Sequence, residues 1–165
     1  MNTCLVLFTR SPSWFSRLIC WATGSKWSHA AIYIPGPGGG VFDSLVGHGV
    51  REGRSLASFV EGFPDYEAWI VPMLIPSAAL RFVTSQAGHP YDSRGLLWWL
   101  FPWRDWQDPS AWFCFEFVSV ALVRGHTQGS LLGPTGAAGA SHVSGRELYE
   151  LVSRIGRLSS KGIAS

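Results

Sequence analysis

Short apolar runs broken by glycine, proline and serine pattern the first half of the chain. Cys4 to Phe8 is a continuous apolar run, best read as a buried strand. Ser11-Pro12-Ser13 then supplies a helix start, Trp14, Phe15, Leu18 and Trp21 recur at helical spacing, and Gly24 closes the segment. His29 to Ile34 predicts a strand and Val41 to Leu45 another. The loop 35–40 between them is all proline and glycine and fits neither a helix nor a central strand, so the two strands form a hairpin. If Ile34 opposes Gly40, Ala31 opposes Asp43, and His29 and Asp43 share a face two residues apart. A slip of one residue gives that face to Ser44 instead.

Further along, Ser55 to Phe63 predicts a short helix and Glu67 to Met73 a strand. Ser77 is placed to cap a helix running to Ala87, where Gly88 and Pro90 end it. Gly95 to Trp103 is densely aromatic. Asp108-Pro109-Ser110 opens another helix, with Phe113, Phe117, Val118, Ala121 and Leu122 on one side. The stretch 125–142, rich in Gly, Ala and Ser, reads as a flexible excursion. Ser144 and Glu147 form a capping box, and Leu148, Leu151, Val152 and Ile155 follow at helical spacing. After Arg157 the pattern predicts a frayed tail. Strands and helices do not alternate regularly, which points to one α+β domain over residues 1–165 with a mainly antiparallel sheet.

Composition narrows the function classes. The chain has 165 residues, 47% hydrophobic and 15% charged, which excludes disorder of the whole. A formal charge of +2 without a basic run argues against a nucleic-acid partner. Three cysteines without a CxxC spacing give neither a zinc cluster nor a disulfide framework, and suit reduced thiols. The first apolar run stops at Thr9-Arg10, short of a signal peptide, and no stretch approaches the roughly 18 apolar residues of a membrane span. The expectation is cytoplasmic synthesis, with the final location open. Nine tryptophans imply a large aromatic core or an apolar working surface.

Cysteine acyl transfer needs a thiol, a base within hydrogen-bond reach and a group that orients the base. Cys114 lies near the start of a predicted helix, where backbone N–H groups favour a thiolate and a developing oxyanion. The competing reading of a lone cysteine is an inert core thiol. His29 opens a strand, and Asp43 interrupts the apolar run Val41-Phe-Asp-Ser-Leu45, so each suits a polar partnership. His48, in Gly47-His-Gly49, is an alternative orienting residue, although its glycine neighbours suggest a turn. His89 and His126 fall in loop-like segments as surface residues, and His142 has no motif around it. Cys4 and Cys20 read as core residues.

Ser-His-Ala-Ala-Ile-Tyr-Ile from Ser28, Val41-Phe-Asp, Gly49-Val50, His89-Pro-Tyr-Asp92 and Trp112-Phe-Cys-Phe-Glu-Phe-Val118 together resemble the permuted NlpC-type papain-like superfamily. That group includes YiiX-like amidases and lecithin–retinol acyltransferases. The resemblance spans Cys4 to Leu122 and implies a sheet packed against a nucleophile-bearing helix. It implies Cys114 as nucleophile, His29 as base and Asp43 as third residue, a position more often His, Glu or Asn. Tyr91 and Glu116 match supporting positions of the family, and Asp92 follows as its Tyr-Asp pair. Phe115 replaces a common small Ser, narrowing or shielding the oxyanion region.

The activity so implied is hydrolysis of an amide, first a cell-wall or other peptide, with no metal or organic cofactor. A bacterial or phage-borne source suits it. One alternative is a lipid acyl hydrolase or acyltransferase, with Trp98, Trp99, Phe101 and Phe115 as an apolar wall for acyl chains or a membrane surface. The other is a binding module that keeps the fold without turnover.

Overall fold

The computed structural model describes residues 2–63, 65–93, 111–126 and 143–162. Within them, strands β1 (Thr3–Arg10), β2 (His29–Ile34), β3 (Gly40–Leu45), β4 (Gly49–Arg54), β5 (Asp65–Pro72) and β6 (Arg157–Gly162) form a single antiparallel sheet in the order β4-β3-β2-β1-β5-β6. The helices among the described residues are α1 (Trp14–Thr23), α2 (Leu56–Gly62), α3 (Pro76–Ser85), α4 (Cys114–Gly125) and α5 (Gly145–Ile155). The molecule is therefore α+β.

Period-two alternation divides the core between the two faces of the sheet. Val6, Phe8, Ala30, Ile32, Ile34 and Phe42 face one side, where residues of α1, α3, α4 and α5 complete the larger cluster. Leu7, Ala31, Val41 and Ala68 face the other, where Phe59 of α2 covers them. Helix α4 lies across β2 and β3 with all but its polar edge buried, so its apolar residues run almost all round. Its first residue is Cys114.

Local signals account for most boundaries. Ser13 and Ser55 cap α1 and α2 through their hydroxyls, and Gly24 ends α1 in the left-handed conformation at φ 60°. Of the two hairpin registers left open, the structure has the first: Ile34 opposes Gly40 and Ala31 opposes Asp43. The box of Ser144 and Glu147 caps α5. Three expectations need correction. Helix α3 begins at Pro76, with no side-chain cap from Ser77, because proline's fixed φ and missing N–H suit the first helical position. Phe113 is not on the face of α4 but is its N-cap in extended conformation. The tail after Arg157 is not frayed but pairs with β5 as β6. Asp108 to Ser110, the aromatic stretch from Leu97 to Trp103 with Trp98, Trp99 and Phe101, and almost all of the 125–142 excursion lie outside the described residues.

Candidate active site

His29 and Asp43 meet, as the observed hairpin register permits. His29 Nε2 lies 2.9 Å from Asp43 Oδ2, and both side chains are buried. Arg51, on β4 directly opposite Asp43, donates Nε to Oδ1 at 3.0 Å and Nη2 to Oδ2 at 2.5 Å. Burial pushes the Asp43 carboxyl up, but hydrogen bonds and charge from His29 and Arg51 outweigh it and hold the group at about 2. An ionised carboxylate only accepts hydrogen bonds, so His29 Nε2 is the protonated nitrogen that faces it, and Nδ1 is the nitrogen turned away from Asp43. The imidazole also stacks on Phe63, ring centroids 5.4 Å apart, and on Phe59 at 6.4 Å. Arg51 and the two phenylalanines were not singled out from sequence. The charged run Arg51-Glu-Gly-Arg54 hides a strand, and nothing in Ser55 to Phe63 marks it as a wall for His29.

Cys114 stands at the first position of α4. Its sulfur donates to Ser28 O at 3.9 Å and receives the backbone N–H of Ala30, so it contacts the main chain on both sides of His29. The backbone N–H groups of Phe115 and of Cys114 itself also point at the sulfur. These donors favour a thiolate, yet complete burial outweighs them and, with Asp43 nearby, pushes the thiol up to about 12. In this state the resting sulfur is a neutral thiol, and its proton leaves only if a base takes it.

The remaining candidates divide. Tyr91 pairs by its backbone with Trp112 and packs edge-on to Phe113, and burial, with the ionisable Cys114 and Asp92 nearby, pushes its hydroxyl well above the ordinary range. Glu116, in the first turn of α4, accepts the backbone N–H of Phe113. Burial pushes its carboxyl up to about 8, with Asp92 adding to the rise. His48 lies exposed in the turn between β3 and β4, and the His29 ring nitrogen goes to Asp43 instead. Phe115 is not a substrate wall: it is fully buried, packed on Phe113, and a Cβ on Gly145 would lie 2.6 Å from its ring. At the second position of α4 its side chain points inward, to where α5 docks. His126 is not a surface residue either, being buried with Nδ1 3.0 Å from Leu122 O. Cys4 is buried as expected and pushed up to about 12 by that burial, whereas Cys20 is only half-buried.

A groove of about 220 Å³ opens beside His29. Hydroxyls of Ser11, Ser13 and Ser16 and the apolar side chains of Phe15, Leu45 and Phe63 are among its lining, and the described residues that line it include no carboxylate, lysine or arginine. No protein-family model matches the chain, and no curated protein matches it. Its chemistry rests on the residues themselves.

Proposed function

We propose that this protein is a cysteine hydrolase of permuted papain-like build that cleaves a peptide amide through a thioester. The observation that carries the reading is the buried His29–Asp43 pair together with Cys114, a thiol at a helix start whose sulfur touches the backbone of Ser28 and Ala30 on either side of His29. In the proposed reaction His29 Nδ1 takes the thiol proton as the sulfur attacks the carbonyl carbon. The resulting oxyanion lies near the first N–H groups of α4. Collapse expels the amine, which takes its proton from His29, and leaves the acyl group on Cys114. Water then attacks the thioester, giving its proton back to His29, and the thiol is restored. Asp43 keeps the imidazole in the productive tautomer and stabilises the imidazolium. Arg51 keeps Asp43 ionised.

Two observations favour other readings. The described lining, serine hydroxyls and apolar side chains beside two histidines, fits a lipid acyl group as well as a peptide side chain. The thiol pushed up by burial suits a module without turnover. One experiment separates them: incubation with p-nitrophenyl acyl esters and N-acyl amino-acid anilides, followed by intact-mass and peptide-mass analysis. The proposal expects turnover of an anilide and an acyl adduct on the Cys114 peptide, both abolished by Cys114→Ala. Replacement of His29 by Gln should lower kcat by about 10²-fold or more. Turnover of long-chain esters alone would assign the lipid reading, and no Cys114 adduct with any probe would leave a binding module.

A further inference from the structure

Helix α1 is built with its largest aromatic side chains outward. Ser16, Ile19 and Thr23 are its buried residues, whereas Trp14 is 76% exposed and Trp21 73%. Their spacing of seven residues puts both indoles within roughly 20° of one another on the helix surface and about 10 Å apart along its axis. Arg17, on the same face between them, is exposed. Two solvent-facing tryptophans on one ten-residue helix are costly unless something covers them.

The charges carried by this part of the chain point to the occupant. Asp43 is the first carboxylate in the sequence, and it is buried against Arg51 and His29. Up to that point the chain carries only Arg10, Arg17 and Lys26 as formal charges. Arg10 is already bound to Asp65 and Lys26 to Glu67, which leaves Arg17 as the cation on the helix face itself. A short helix presenting tryptophan, arginine and tryptophan, without a carboxylate, fits an interface that is apolar below and anionic at its surface. Indole rings settle at the headgroup level of a bilayer, and a guanidinium pairs with phosphate there. The opposite side of the same helix faces the groove: Ser13, Phe15 and Ser16 line it, and Trp14 packs edge-on to Phe15.

We propose that the outer face of α1, through Trp14, Arg17 and Trp21, docks this protein on an anionic lipid surface and so holds the groove beside His29 close to that surface. The docking needs no turnover and stands apart from the role assigned to Cys114. The test is co-sedimentation of the full chain with vesicles of equal parts phosphatidylglycerol and phosphatidylcholine, against pure phosphatidylcholine. The wild type should sediment with the anionic vesicles at low salt and weaken as salt rises. A Trp14→Ser/Trp21→Ser double variant should lose at least about tenfold in partitioning, and Arg17→Glu should lose preference for anionic over neutral vesicles. Both variants alter only exposed side chains, and unchanged circular dichroism verifies the fold. Undiminished binding by the double variant overturns the proposal, as does absence of binding by the wild type. Equal binding to both vesicle types overturns the anionic surface. A wild-type dimer that becomes monomeric in the double variant, without vesicle binding, would instead make the face a contact between copies of this chain.

Discussion

Asp43 is buried in a place where an unpaired carboxylate would be strongly unfavourable, and it is stabilised there by His29 on one strand and Arg51 on the other. Its folded value of about 2 lies below the 3.8 of the free group. The stability it contributes is therefore present above about pH 4 and lost as pH falls through about 2, some ~2 kcal/mol in all. An acid-unfolding titration of wild type against Asp43→Asn should show that limb in the wild type alone. Replacing Arg51 by Met removes two charge-assisted bonds and should cost about 2 kcal/mol near neutral pH, with acid unfolding beginning at higher pH. Glu116 behaves in the opposite sense. Its folded value of about 8 exceeds the ordinary 4.5, so its contribution is present below about pH 4.5 and disappears as pH rises through 8. Glu116→Gln keeps an acceptor for the Phe113 N–H without the charge. Its thermal midpoint should gain on the wild type as pH rises from 5 to 9, read by differential scanning calorimetry.

At the scale of elements, the loop chemistry is as specific as the side chains. Gly49 opens β4 with φ 70°, and a Cβ there would lie 2.2 Å from His89 O. The same junction ties β4 to the chain after α3, with Val50 N donating to His89 O at 2.8 Å. Gly49→Ala should cost at least about 1 kcal/mol in urea unfolding and displace the turn that carries His48. Gly145 is constrained by volume rather than by backbone angle, since its added Cβ meets the ring of Phe115. The two strands not read from sequence, β4 and β6, are the edges of the sheet. Edge strands lack a neighbour on one side and here carry Arg, Glu, Lys and Ser in place of alternating apolar residues, which blunts pairing with other chains but hides them from a period-two search. The interior strands β1, β2 and β3 were legible because burial imposes their pattern.

Over the whole molecule, residues distant in sequence close the structure. Glu67 of β5 accepts from Lys26 Nζ at 3.0 Å and from Tyr149 Oη at 2.8 Å, joining the loop before β2, the sheet and α5. Tyr149→Phe removes one of these bonds and should lower stability by ~1 kcal/mol, measured by chemical denaturation. No helix among the described residues is long and apolar enough to cross a membrane. Local features were legible along the chain: the caps of α1 and α5, the hairpin, and two registers for it, one of which pairs His29 with Asp43, because pleat and turn dictate which side chains share a face. Packing in three dimensions chose between those registers and set the remainder. It brought Cys114 from a distant helix against the backbone flanking His29, set Arg51 on Asp43, turned Phe115 into the core, buried His126 and left Trp14 and Trp21 facing outward. Those outcomes depend on how helices lie across a sheet and which faces they cover, and pairwise spacing along a chain does not encode the direction in which a packed helix turns its side chains.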